Sequence, residues 1–105
     1  MKETILATAK EALLVEIEAI KGLESYLNDD FYQVIDALMQ CKGKLVVSGI
    51  GKSAIIAQKI VATCISTGTA AAYLHAADAI HGDSGLIGPE DIVMIISKSG
   101  ESPEI

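Results

Sequence analysis

A chain of 105 residues, half of them apolar and with a net charge of −6, bounds one small domain. No apolar run reaches the roughly 20 residues that span a bilayer, and no basic stripe is present. Neither a membrane nor nucleic acid is therefore expected as a partner. The N-terminus, Met1-Lys2-Glu3-Thr4, leads into a charged helix rather than a signal peptide. Cys41 and Cys64 show no metal-ligand spacing, so reduced thiols and a cytoplasmic protein are expected.

From about Glu3 to Leu27 apolar side chains recur at helical spacing: Ile5, Leu6, Ala9, Leu13, Ile17, Ile20 and Leu23. This stripe suits a core of its own domain or a contact with a second chain. Asn28-Asp29-Asp30 offers an N-cap for a second helix with the stripe Phe31, Val34, Ile35 and Leu38. Lys42-Gly43 reads as that helix's basic last turn and C′ glycine.

From Lys44 the pattern alternates. A strand over Lys44–Ser48 leads into a helix from about Ser53 to Thr67, closed by Gly68. A second strand covers about Ala70–His75. A polar stretch follows, with Asp78, His81, Gly82, Asp83 and Gly85, and Gly88-Pro89-Glu90-Asp91 then turns into a third strand, Ile92–Ser97. Strands with branched apolar runs, alternating with helices, predict an α/β fold: an open, doubly wound parallel sheet preceded by helices. Ser102-Pro103-Glu104 reads as a helix start, and only Ile105 follows it. On this reading residues 1–43 form a helical segment and residues 44–105 the first half of a truncated domain, with bare apolar surface.

Two loops carry the chemistry, Ser48-Gly49-Ile50-Gly51-Lys52-Ser53 and Ser97-Lys98-Ser99-Gly100-Glu101-Ser102. Each leaves an apolar strand to open a helix, where backbone N–H groups and serine hydroxyls can surround a phosphate. A Walker A loop is excluded, because it needs glycine where Val46 stands. A dinucleotide fingerprint matches Gly49, Gly51 and Ala54 formally, but the second strand ends on Leu74-His75 without the acid that holds a ribose.

Lys52 falls at the positive end of a helix dipole, where a cation is unfavourable unless an anion is present; the alternative is a solvated lysine turned away. Ser97, Ser99 and Ser102 around Gly100 suit phosphate ligation, although Ser102 alone is explained by capping. His81 suits general acid–base work or a structural pairing with Asp83. His75, Asp78, His81 and Asp83 match no strong metal-ligand pattern, and no metal is expected. Glu104 suits the first turn of a helix on dipole grounds alone, and would also stand near a sugar bound to the serines.

These motifs, Val47-Ser48-Gly49-Ile50-Gly51-Lys52-Ser53, Ile80-His81-Gly82-Asp83 and Ile96-Ser97-Lys98-Ser99-Gly100-Glu101-Ser102, resemble the sugar isomerase (SIS) domain, in particular that of D-arabinose 5-phosphate isomerases. The resemblance runs from about Lys44 to the end and implies a flavodoxin-like sheet. It implies interconversion of ribulose 5-phosphate and arabinose 5-phosphate, feeding synthesis of the sugar acid Kdo for lipopolysaccharide or capsule. It assigns catalytic roles to Lys52, His81 and Glu104, and substrate binding to Gly49, Gly51, Ser53, Ser97, Ser99, Gly100 and Ser102. It implies a sugar-phosphate substrate, no cofactor and a homo-oligomer, dimer or tetramer. One departure is Asp78, where the family usually has glutamate. The family's other active-site glutamate and histidine fall beyond Ile105, so the chain alone is expected to be inactive. A non-catalytic phosphosugar-binding module is the alternative reading.

Overall fold

The computed structural model describes residues 1–76 and 83–98, with the side chains of residues 83 and 84 outside the description. The chain divides into two compact units, Met1–Ala37 and Leu38–Ile105. In the first, α1 spans Lys2–Gly22 and tightens into a 3-10 turn over Leu23–Tyr26, so the expected helix to about Leu27 is one element with a narrowed end. Asn28 caps α2 (Asp29–Met39) as expected, its Oδ1 accepting the Phe31 N–H at 3.1 Å. Neither helix buries a residue, and Leu13 at 61% and Ile20 at 66% remain open to solvent.

The reading of Lys42-Gly43 as the end of α2 is corrected. The helix stops at Met39 with no basic residue in its last turn, and Gly43 is not among the positive-φ glycines. Gly43 has a packing reason instead. A Cβ there would overlap Asp91 Oδ1 and lie 2.7 Å from both the carbonyl carbon and oxygen of Glu90.

In the second unit β1 (Leu45–Gly49), β2 (Ala71–His75) and β3 (Ile92–Ile96) form a parallel sheet in the order β2-β1-β3. The register is even: Leu45 pairs with Ala71 and Ile92, and Gly49 pairs with His75 and Ile96. All three strands therefore end at one level. Between β1 and β2 runs α3 (Lys52–Ser66). It buries Ala54, Ala57 and Val61, and its partly buried Ile60 and Cys64 extend the same face. That face packs on Leu45 and Val47, flanked by Ala71, Tyr73, Ile92, Met94 and Ile96. The helix closes in a Schellman motif: Thr69 N–H donates to Cys64 O at 2.8 Å, and Gly68 N–H to Ile65 O at 3.3 Å, with Gly68 at φ 92.

Strand residues of the opposite face divide. Val46, Ser48 and Leu74 are buried, whereas Val93 and Ile95 on β3 are 42% and 49% exposed. The turn before β3 also matches expectation, with Asp91 N–H donating to Gly88 O at 3.2 Å.

Candidate functional site

The site is set by where the strands stop. After β1 the chain enters β2 on one side, then crosses to β3 on the other, so the strand order reverses between β1 and β3. In open α/β sheets ligands bind in the crevice at such a switch point, outside the carboxyl ends of the strands. Gly49 and Ile96 are register partners, so the loop that begins with Ile50 and the loop that begins with Ser97 leave the sheet side by side. The two loops singled out in the sequence start at this edge, the second described through Lys98.

The first loop is tight because its residues permit it. Gly51 stands just ahead of α3 at φ 63 and ψ −129, a backbone conformation that favours glycine. Gly49 is needed for a different reason: a Cβ on it would meet Ser53 C and O at 2.9 Å and Ala54 N at 3.1 Å. With Ala54 and Ala57 buried beneath the helix, the first turn of α3 lies directly on the end of β1. Lys52 opens α3 and is exposed, while Ser53 beside it is half-buried. Among the described residues no side chain caps α3, and no acid lies in its first turn; Ala54 N–H turns back to Gly51 O at 3.1 Å. At such a start the positive end of the helix dipole meets a cation and no acid, which is unfavourable in the absence of an anion.

At the second loop Ser97 is half-buried and Lys98 exposed. The structure thus brings Gly49, Gly51, Lys52, Ser53 and Ser97 to one edge. Ser99, Gly100, Ser102, Glu104 and His81 lie outside the described residues, as does Asp78. Among the described residues no three of His, Cys, Asp or Glu gather to hold a metal. A cavity of about 290 Å³ is lined by Leu38, Met39, Cys41, Gly43, Leu45, Gly68, Thr69 and Ala70. It sits at the amino end of β1, away from the crevice, and has no charged lining residue.

Sequence reasoning missed one cluster, Gly43, Lys44 and Asp91, at that same amino end. Lys44 Nζ lies 2.7 Å from Asp91 Oδ2, and Asp91 also accepts the Lys44 N–H at 2.8 Å and the Gly88 N–H at 2.7 Å. The Lys44 ammonium and these two N–H groups lower the Asp91 carboxyl to about 2 from the usual 3.8. An acid ahead of an apolar strand, paired with a lysine ahead of another, was the available signal.

A parallel sheet in the order β2-β1-β3 with a helical crossover defines an open α/β domain. The SIS domain model matches residues 38–105, and the chain belongs to that family. Over 96 residues it is 50% identical to the arabinose 5-phosphate isomerase KdsD of Yersinia pestis, covering 91% of this chain and 29% of the relative. Over 105 residues it is 43% identical to the arabinose 5-phosphate isomerase GutQ of Escherichia coli K12, covering 100% of this chain and 33% of the relative. The chain therefore spans about a third of the length of these curated relatives. A solved structure of an E. coli CFT073 protein in complex with arabinose 5-phosphate superposes with a TM-score of 0.91 at 36% identity, covering 99% of this chain and 55% of that one.

Proposed function

We propose that this SIS domain supplies part of the site of a sugar-phosphate aldose–ketose isomerase acting on arabinose 5-phosphate and ribulose 5-phosphate. The observation that carries the reading is the emergence of the Lys52 loop and the Ser97 loop from register-paired strand ends at the switch point. The relatives named arabinose 5-phosphate isomerases support the choice of substrate.

The reaction needs a base to take the proton from the carbon beside the carbonyl and return it to the neighbouring carbon through a cis-enediolate. Negative charge develops on the oxygen of that intermediate. Lys52, fixed at the start of α3, is the cation that stabilises it. Ser53 and the α3 N-terminus, with Ser97, Ser99, Gly100 and Ser102, hold the phosphate. His81 and Glu104 serve as the acid–base groups. No redox cofactor enters this scheme. The reading extends to Kdo supply for lipopolysaccharide or capsule, to a cytoplasmic location and to a homo-oligomer.

Titration of arabinose 5-phosphate into the chain, which alone is expected to bind without turnover, tests the reading. Saturable binding that Lys52→Ala and Ser97→Ala weaken is expected. Binding of NAD with no response to the sugar phosphate would overturn it in favour of a dinucleotide site.

A further inference from the structure

We infer that Asp91 is a remote positioning residue: its carboxylate sets the register of β3 against β1 and thereby aligns the Ser97 loop with the Lys52 loop. The claim about loop alignment rests on the proposed sugar-phosphate site; the claim about register does not.

The need for such a device follows from the composition of β3. A strand's register is well specified where one face is apolar and the other polar, because a one-residue slip exchanges the faces. In β3 both faces are apolar. Ile92, Met94 and Ile96 meet the core under α3, and Val93 and Ile95 face the other way, half-exposed. A slip would replace one set of branched or flexible apolar side chains with another.

Asp91 supplies what the apolar pattern lacks. Its side chain is only 6% exposed, and it holds three donors at once, the Lys44 N–H, the Lys44 ammonium and the Gly88 N–H. The Lys44 carbonyl in turn accepts the Ile92 N–H at 3.0 Å. Oδ1 thus stands in the ladder where a longer strand would offer a backbone carbonyl, and only one alignment of β3 places it there. Gly43 leaves the room: a side chain at that position would overlap Oδ1 and the Glu90 carbonyl. The Cys41 thiol adds a second tie across the same gap, donating to Glu90 O at 3.4 Å.

The consequence is felt at the far end of both strands. A slip of one residue moves Ser97 by roughly 3.3 Å along the strand and turns it to the other face. A phosphate-binding loop does not tolerate that, since misplacement by about 1 Å already costs on the order of a hundredfold in a positioned site.

The test uses the whole 105-residue chain, isotope-labelled, with Asp91→Ala, Asp91→Asn and Gly43→Ala beside wild type. Val61→Ala serves as a core truncation that leaves the carboxylate's bonds intact, and Glu90→Ala as a neighbouring exposed acid. Cross-strand NOEs between Gly49 and Ile96 report register, and arabinose 5-phosphate titration reports the site. Asp91→Ala and Gly43→Ala are expected to lose those NOEs and weaken binding at least tenfold, with Asp91→Asn showing the same losses at smaller amplitude. Val61→Ala should lower Tm yet keep the NOEs, with affinity within twofold, and Glu90→Ala should match wild type. Retention of the Gly49–Ile96 NOEs in Asp91→Ala or Asp91→Asn overturns the inference, as does their equal loss in Val61→Ala. If wild type shows the NOEs but no response to the sugar phosphate, the functional reading fails while the register result still stands or falls by the variants.

Discussion

Gly49→Ala puts the architecture of the site to a direct test. The added methyl carbon would lie 2.9 Å from Ser53 C and O and 3.1 Å from Ala54 N, all backbone atoms of the first turn of α3. Ordinary contact begins near 3.4 Å, so the turn must withdraw by about 0.5 Å or more, and no flexible side chain can move instead. Overpacking of this kind costs about 1–3 kcal/mol. With an unfolding entropy of roughly 2.1 cal/mol/K per residue, that is a fall in Tm of about 5–15 °C for a chain of this size. The same withdrawal carries Lys52 with it, so ligand affinity should fall in the fraction that remains folded. Thermal unfolding by circular dichroism gives the first number, and arabinose 5-phosphate titration well below the transition gives the second. Gly51→Ala probes a different cost, since nothing crowds that position but its φ of 63 strains any side chain. An unchanged Tm in Gly49→Ala would refute the close seating of α3 on β1, and with it the placement of Lys52.

Lys52→Ala should abolish saturable binding or reduce it at least tenfold without lowering Tm, because the side chain is exposed; calorimetric titration checks this. Val47, fully buried against α3, should lose about 2 kcal/mol on truncation to alanine, from two methyl groups and the cavity left behind. The same change at Val93, which is 42% exposed, should cost less than half as much, with urea midpoints read against each other. Asn28→Ala removes the Oδ1 that accepts the Phe31 N–H, and should cost about 1 kcal/mol of α2 stability, seen as lost amide protection in its first turn. For Asp91 the sign follows from a folded-state pKa lowered to about 2 from 3.8. The carboxylate's stabilisation is fully present above the unfolded value and is lost as pH falls through that window. The urea midpoint of wild type should therefore converge on that of Asp91→Asn as pH falls from 3.8 to about 2. Parallel curves over that range would show that Asp91 contributes nothing through its charge.

What could be read from the sequence was what local pattern encodes. The strand cores came from runs such as Leu45-Val46-Val47, and α3 from small and branched residues at helical spacing closed by Gly68, with boundaries within a residue or so of those observed. The candidate edge was legible for the same reason, because glycine and serine after an apolar strand announce a loop before a helix. Less legible was anything that depends on a partner distant in sequence. Gly43 looked like a helix terminator because Lys42-Gly43 follows a helical stripe. Its reason is Asp91, 48 positions away, whose carboxylate fills the space a side chain would need. Gly49 looked like an anion-loop glycine, and the structure adds a steric demand from Ser53 and Ala54.

The same contrast explains why the two ends of the sheet depend on each other. Apolar runs are enough to bury a central strand, and Val46 and Val47 at 0% exposure show how completely β1 is enclosed. They do not fix how β3 slides along it, since Ile92 through Ile96 offer apolar groups at every step. Alignment has to come from polar groups, whose bonds are directional and are costly to leave unmade when buried. In the described sheet that duty falls at the amino edge, on Lys44 and Asp91, while the loops that need the alignment lie at the carboxyl edge. The two edges are thus distinct: Lys44 and Asp91 are bonded at the amino edge, and Lys52 stands exposed at the start of α3 beyond the carboxyl edge.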